Sequence, residues 1–114
     1  MQSNFRVEVR REGDVPVVSL YGELDLASSP ALEDELERLL ATAPSVVVID
    51  LRELDFMDST GLSVLIRAHH RAHEAGHRLA VVNGTRQVRR LLSLTGLAER
   101  LTVVDDPREL IGEG

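Results

Sequence analysis

The run Val46-Val47-Val48-Ile49-Asp50-Leu51 limits this chain more than any other segment. β-Branched residues in near-unbroken succession fit a pleated strand, and a strand with no polar alternation belongs in the middle of a sheet, covered on both faces. The flanking sequence supplies the cover. Upstream, Phe5, Val7 and Val9 alternate with Arg6, Glu8 and Arg10, the period of a half-exposed strand. Glu12-Gly13-Asp14 then provides turn residues before Val15 to Tyr21, so these two strands pair as a hairpin, with Pro16 pushing its end of the strand toward an edge. Ser29-Pro30 reads as an N-cap and first helical residue, and Leu32, Leu36, Leu39 and Leu40 form one apolar stripe on the helix that follows.

Beyond the β-branched run, a second helix begins around Ser59, presents Leu62, Leu65, Ile66 and His69 on one face, and ends near Gly76. Arg78 to Val82 reads as a strand and Asn83-Gly84 as a turn. Val88, Leu91 and Leu92 mark a short helix that stops at Thr95-Gly96. Leu101 to Val104 is a last strand, with Pro107 opening a terminal helical turn. Strands followed by helices predict an α/β fold: a mixed central sheet of about five strands, with an N-terminal hairpin and roughly three to four helices. The chain has 114 residues, the size of one domain, so residues 1–114 are expected to share one core.

Composition removes whole classes of function. Aromatic residues make up only 3%, too few for a base-stacking platform. All 13 basic residues are Arg, so Schiff-base lysines and the lysine of a phosphate-binding loop are missing together. A formal charge of −6 disfavours nucleic acid and anionic membrane as partners. With no Cys there is no disulfide framework, thiol chemistry or Cys-ligated metal. Met1-Gln2-Ser3-Asn4 does not open a secretory leader, and no apolar stretch approaches membrane-spanning length. A cytoplasmic location is the expectation.

Asp58-Ser59-Thr60-Gly61, between the strand and the second helix, concentrates the chemistry. A hydroxyl beside a carboxylate at a helix start can be a cap, a nucleophile or a phosphate acceptor. Asp and Ser both cap well, and one cap suffices. Here Asp, Ser and Thr stand in a row after the apolar and acidic loop Leu54-Asp55-Phe56-Met57, whose Phe-Met pair reads as an exposed contact surface. A nucleophile needs a base and usually the turn Gly-x-Ser-x-Gly, which is absent around Ser59. His69, the first of the histidines His69, His70, His73 and His77, is ~15 Å along the helix from Ser59 by helical rise. The acceptor reading asks less, because a helix N-terminus tolerates phosphate. An acidic partner surface would then meet repulsion of about 2 to 3 kcal/mol per opposed charge at ~6 Å and an effective dielectric of ~20, roughly a hundredfold in affinity.

Taken in order, Gly22-Glu23-Leu24-Asp25, the β-branched strand, and Phe56-Met57-Asp58-Ser59-Thr60-Gly61-Leu62 resemble the anti-sigma factor antagonists, single-domain members of the STAS fold. Asn83, the segment Val88 to Leu94 and the late strand also fit, so the resemblance covers nearly the whole chain. It implies partner switching. The unphosphorylated protein would bind an anti-sigma factor that is itself a GHKL-type serine kinase, freeing the sigma factor. Phosphorylation of Ser59 would dissociate the pair, and a PP2C-type phosphatase would reverse it. Asp25 and Asp58 would border the docking surface, with Asp58 near the kinase's reacting centre and with Glu23, Phe56, Met57, Thr60 and Gly61 beside them. Thr60 ranks below Ser59 as acceptor. ATP and magnesium would belong to the partner, so no catalytic residue, metal or cofactor is expected in this chain. The alternative implied is a non-switching STAS scaffold, such as a stressosome component or a lipid-transport subunit, which usually has an extra N-terminal domain or lacks the acceptor serine.

Other constellations have simpler readings. His69 and His73 have the spacing of two zinc ligands, but His69 lies on the apolar stripe and no carboxylate completes a site. The acids Glu23 and Asp25 could form an acid/base pair, yet a surface loop near Ser59 is the better reading. Arg86, Arg89 and Arg90 read as a solvated helix face. Leu24, Leu26, Phe56 and Met57 could serve core, interface or both.

Overall fold

A computed structural model describes the backbone of residues 4–106 and 108–111. It contains strands β1 (Phe5–Glu12), β2 (Val15–Leu24), β3 (Val46–Asp50), β4 (Leu54–Met57), β5 (Arg78–Val82) and β6 (Thr102–Val104). Helices α1 (Ser29–Leu40), α2 (Ser59–Glu74) and α3 (Arg86–Leu94) connect them, with single turns α4 (Leu97–Arg100) and α5 (Arg108–Ile111) near the C-terminus. Pro107, expected to open that last turn, lies outside the described residues. Among these residues the strands form one mixed sheet in the order β1-β2-β3-β5-β6, with β4 beside β2. β1 and β2 pair antiparallel through the Gly13-Asp14 turn, and all other pairs are parallel.

β3 takes the central place its composition demands. Val47 and Ile49 belong to the main core, which also holds Leu32 and Leu36 of α1, Leu65 and Ala68 of α2, and Leu92 of α3. Val48 points the other way, into a smaller cluster with Val17 and Val82, and all three are fully buried. Successive side chains alternate across a strand, so a continuous apolar run serves both faces.

The sheet has six strands where about five were expected. The extra one is β4, in the segment that reads as a loop. β3 pairs with β2 over Val17–Ser19, and after Asp50 the chain swings out and returns to pair with β2 over Gly22–Leu24. The register shifts between Gly22 and Glu23 at the changeover. Four residues with such a shift cannot display the alternation that marks a longer strand. Pro16 lies in an interior strand, but opposite Arg11 and one residue before the β3 ladder begins at Val17, so no ladder bond is lost. The cap of α1 is Ser28 rather than Ser29, and Pro30 falls one position later than expected. α4, absent from the sequence reading, follows Gly96, whose φ of 74° ends α3.

Candidate functional site

Two backbone junctions bring the acidic segments together. β2 and β4 end side by side, with Leu24 opposite Met57, so Asp25 and Asp58 each follow a member of that pair. Asp58 N–H donates to Leu24 O at 3.1 Å, fixing the start of α2 against the end of β2. Gly61 permits this approach: a β-carbon there would lie 2.7 Å from Leu24 Cγ and 2.9 Å from its Cδ2. At Gly22, φ is 89° and a β-carbon would overlap Asn4 O, so the β1–β2 edge beside the site also requires glycine.

Each carboxylate has a structural task. Asp58 is the N-cap of α2, in extended conformation, and its Oδ1 accepts from Gly61 N–H at 3.0 Å. Capping therefore falls to Asp58 and leaves Ser59 as the first helical residue, exposed, with its carbonyl accepting from Ser63 Oγ at 3.0 Å. Asp25 Oδ1 accepts from the amides of Ala27 and Ser28, both at 3.1 Å, and its carbonyl accepts from Ser29 Oγ at 2.7 Å. This turn sets the entry to α1. Among the described residues, every hydrogen bond to either carboxylate falls on Oδ1.

Glu23 is exposed and opposite Phe56. Phe56 is 41% and Leu26 75% exposed, an unusual pair of large apolar side chains bordering the two acids. Met57 corrects the expected exposed Phe-Met pair: it is fully buried, because neighbouring residues of β4 face opposite sides. Gly61 is also buried, and Thr60 is half-buried. Met57 and Gly61 thus shape the surface from beneath, while Glu23, Asp25, Phe56, Asp58 and Ser59 form its accessible part.

Two features escaped the sequence reading. Gln87, in the first turn of α3, donates from Nε2 to Met57 O at 3.0 Å, and its Oε1 accepts from Met57 N–H at 3.1 Å. One side chain thereby stands in for a neighbouring strand along the side of β4 away from β2. Asp50, at the end of β3, is only 4% exposed. It binds Arg52 at 2.8 Å and lies 3.9 Å from Arg10, which donates to Ser19 at 2.7 Å. Burial alone would raise the Asp50 carboxyl, but hydrogen bonds from Arg52 and the charges of Arg52 and Arg10 hold it below the usual carboxylate range.

The histidines lie elsewhere: His69, His70 and His73 in the far half of α2, and His77 just before β5. His69 and His73 stack with ring centroids 6.3 Å apart, and His69 Nδ1 is buried with no hydrogen-bond partner. Among the described residues no three potential ligands gather around one point. Arg89, from the basic face of α3, pairs with Asp105 at 3.1 Å. No described helix is long and apolar enough to cross a membrane.

The acidic, hydroxyl-bearing surface lies at the carboxyl ends of the parallel strands β2 and β4, the end at which open α/β sheets place their binding sites. The STAS domain model matches residues 6–110, and the chain belongs to that family. It is 33% identical over 94 residues to the anti-sigma-F factor antagonist RsfB of Mycobacterium tuberculosis, covering 82% of this chain and 76% of that protein. The anti-sigma-B factor antagonist of Bacillus subtilis is 30% identical over 100 residues, covering 88% and 91%. A crystal structure of an anti-sigma factor antagonist from Mycobacterium paratuberculosis superposes with a TM-score of 0.82 at 29% identity, covering 96% of both chains.

Proposed function

We propose that this chain is a partner-switching anti-sigma factor antagonist. Unphosphorylated, it binds a GHKL-type serine kinase that doubles as an anti-sigma factor, and so releases the sigma factor. Phosphorylation of Ser59 ends the binding, and a PP2C-type phosphatase restores it. The chain is a ligand and substrate in this scheme, acting in the cytoplasm, while ATP and magnesium are held by the kinase.

The observation that carries the reading is the division of labour at the start of α2. Asp58 already caps the helix through Gly61 N–H, so the exposed Ser59 hydroxyl is not needed to hold the fold. Leu26 and Phe56 supply apolar contact area beside it, and Glu23, Asp25 and Asp58 give a surface whose charge a phosphate strengthens. Ser59 outranks Thr60 as acceptor because Thr60 is the less exposed of the two.

The test is incubation with a cognate serine kinase and ATP, followed by phosphosite mapping by mass spectrometry and by binding measurements. Phosphate is expected on Ser59. Ser59→Asp should weaken kinase binding by one to two orders of magnitude, about 1.4 to 2.8 kcal/mol, while Ser59→Ala should preserve it. Phosphate found only at other residues, or equal binding by the two variants, would overturn the assignment.

A further inference from the structure

The outer side of β1 carries no strand among the described residues, although β1 is 8 residues long. A free edge of that length is a template for pairing with another chain unless its side chains forbid it. The direction of its backbone groups follows from one bond. Glu23 N–H donates to Asn4 O at 2.8 Å, at the next position of the β1–β2 register. In an antiparallel ladder, bonded and non-bonded pairs alternate. Arg6, Glu8, Arg10 and Glu12 therefore bond toward β2, and Phe5, Val7, Val9 and Arg11 turn their N–H and C=O groups outward.

The side chains add a pattern. Phe5 and Val7 pack partly against the core, whereas Val9 is 42% exposed. On the opposite face the charges alternate along the strand, with Arg6 bound to Glu8 and Arg10 to Glu12, each at 3.1 Å. The Arg6 guanidinium carbon also lies over the Tyr21 ring, 4.3 Å from its centroid.

We propose that β1 pairs antiparallel with β1 of a second copy of this chain, about a two-fold axis through Val9. In that register Val9 faces Val9, Arg6 faces Glu12 and Glu8 faces Arg10, and each charge pair occurs twice by symmetry. The outward-turned backbone groups of one copy meet those of the other. Neighbouring registers fail. A slip of one residue opposes outward groups to inward ones. A slip of two sets Glu8 against Glu8 with Arg6 against Arg10, or Arg10 against Arg10 with Glu8 against Glu12. A slip of four restores opposite charges but leaves Arg6 or Glu12 beyond the end of the partner strand. The same alternation that would repel an unrelated strand of matching charge thus selects this chain as its own partner.

Sedimentation velocity from ~10 μM to ~1 mM at low salt tests the pairing. A dimer with a dissociation constant on the order of 0.1 mM is expected, at the weak end of specific interfaces and weakened further by salt. Arg6→Glu and Glu12→Arg each create like-charge pairs at both ends and should weaken self-association at least about tenfold. Mixed in equal amounts, the two variants face each other with opposite charges, and a heterodimer near wild-type affinity should return. Val9→Arg, at an exposed position on the axis, provides a further disrupting variant should either charge reversal lose the native circular dichroism. A monomer at every concentration, homodimers unaffected by the substitutions, or a mixture no tighter than its components would overturn the proposal.

Discussion

Gly61→Ala sets two effects of known size against each other. Inside a helix Ala is favoured over Gly by up to about 1 kcal/mol, so propensity alone predicts a more stable protein. Packing predicts the reverse. The added β-carbon would lie 2.7 Å from Leu24 Cγ, 2.9 Å from Cδ2 and 3.0 Å from Leu24 O, where ordinary carbon contacts fall at about 3.5 to 4.0 Å. Leu24 is fully buried, and its carbonyl accepts from Asp58 N–H at 3.1 Å, so neither part can withdraw freely. Overpacking of this kind costs about 1 to 3 kcal/mol, which after the full propensity gain leaves a net loss of up to about 2 kcal/mol. Urea unfolding followed by circular dichroism measures it. The decisive comparison is Gly61→Ala in a Leu24→Ala background. Leu24→Ala alone should cost about 2 to 5 kcal/mol, and by removing Cγ and Cδ2 it should convert Gly61→Ala from destabilising to neutral or stabilising. If Gly61→Ala stabilises the wild-type chain, or acts with the same magnitude in both backgrounds, then Leu24 is not what requires glycine at this position.

Removing the Gln87 amide by Gln87→Ala should lower stability by about 1 to 3 kcal/mol and speed hydrogen exchange at Met57 N–H, which loses its partner. Unchanged exchange there would refute the role given to Gln87. Asp50→Asn should cost about 1 to 3 kcal/mol at neutral pH by weakening the bonds to Arg52. Because the Asp50 pKa is lower folded than unfolded, its contribution is present above about pH 4 and lost as pH falls through the folded value, so the variant should show a shallower acid limb below about pH 4. For His69, burial and then the charges of His70 and His73 lower the pKa. Stability tied to the neutral ring is therefore complete above about pH 6.5 and declines as the pH falls below it. His69→Leu should remove this part of the decline and, by eliminating the unbonded Nδ1, raise stability by up to about 1 kcal/mol. An unchanged slope between about pH 7 and 5 in thermal melts would count against it.

What the sequence makes legible is what local chemistry decides. The β-branched run could occupy only a two-sided strand, and Asp58 ahead of an apolar stripe could hardly avoid capping. The hairpin follows from the alternation of β1 and the turn residues around Gly13, with a one-residue misplacement of the α1 cap, where Ser28 and Ser29 stand side by side. The unread parts depend on contacts distant in sequence. β4 exists because β2 runs past the end of β3 and leaves a stretch of edge to be paired. Gln87 resembles any polar residue in the first turn of a helix, and only its position over Met57 gives it a task. Asp50 sits within an apolar run, where a lone acid in a buried strand was a signal that basic partners must come from elsewhere, here Arg10 and Arg52. Phe56 and Met57 look alike in sequence, because a segment without visible alternation gives nothing to separate the exposed side chain from the buried one.

At the start of α2, two anions would compete for one helix end. Asp58 Oδ1 holds Gly61 N–H, and Asp58 O accepts from Leu62 N–H, so a phosphate on Ser59 cannot take the Gly61 amide without displacing the cap. The helix terminus offers only about +0.5 charge, against −1 from Asp58 and about −1.5 to −2 from the phosphate. On phosphorylation a net charge of roughly −2 to −2.5 would therefore remain at the surface, beside the exposed Leu26 and Phe56. Were Asp58 not already capping, the helix could draw the phosphate inward and blunt the signal. With the cap in place, the fold would have little reason to change on phosphorylation, and the added charge would bear on the partner proposed to dock against those apolar side chains.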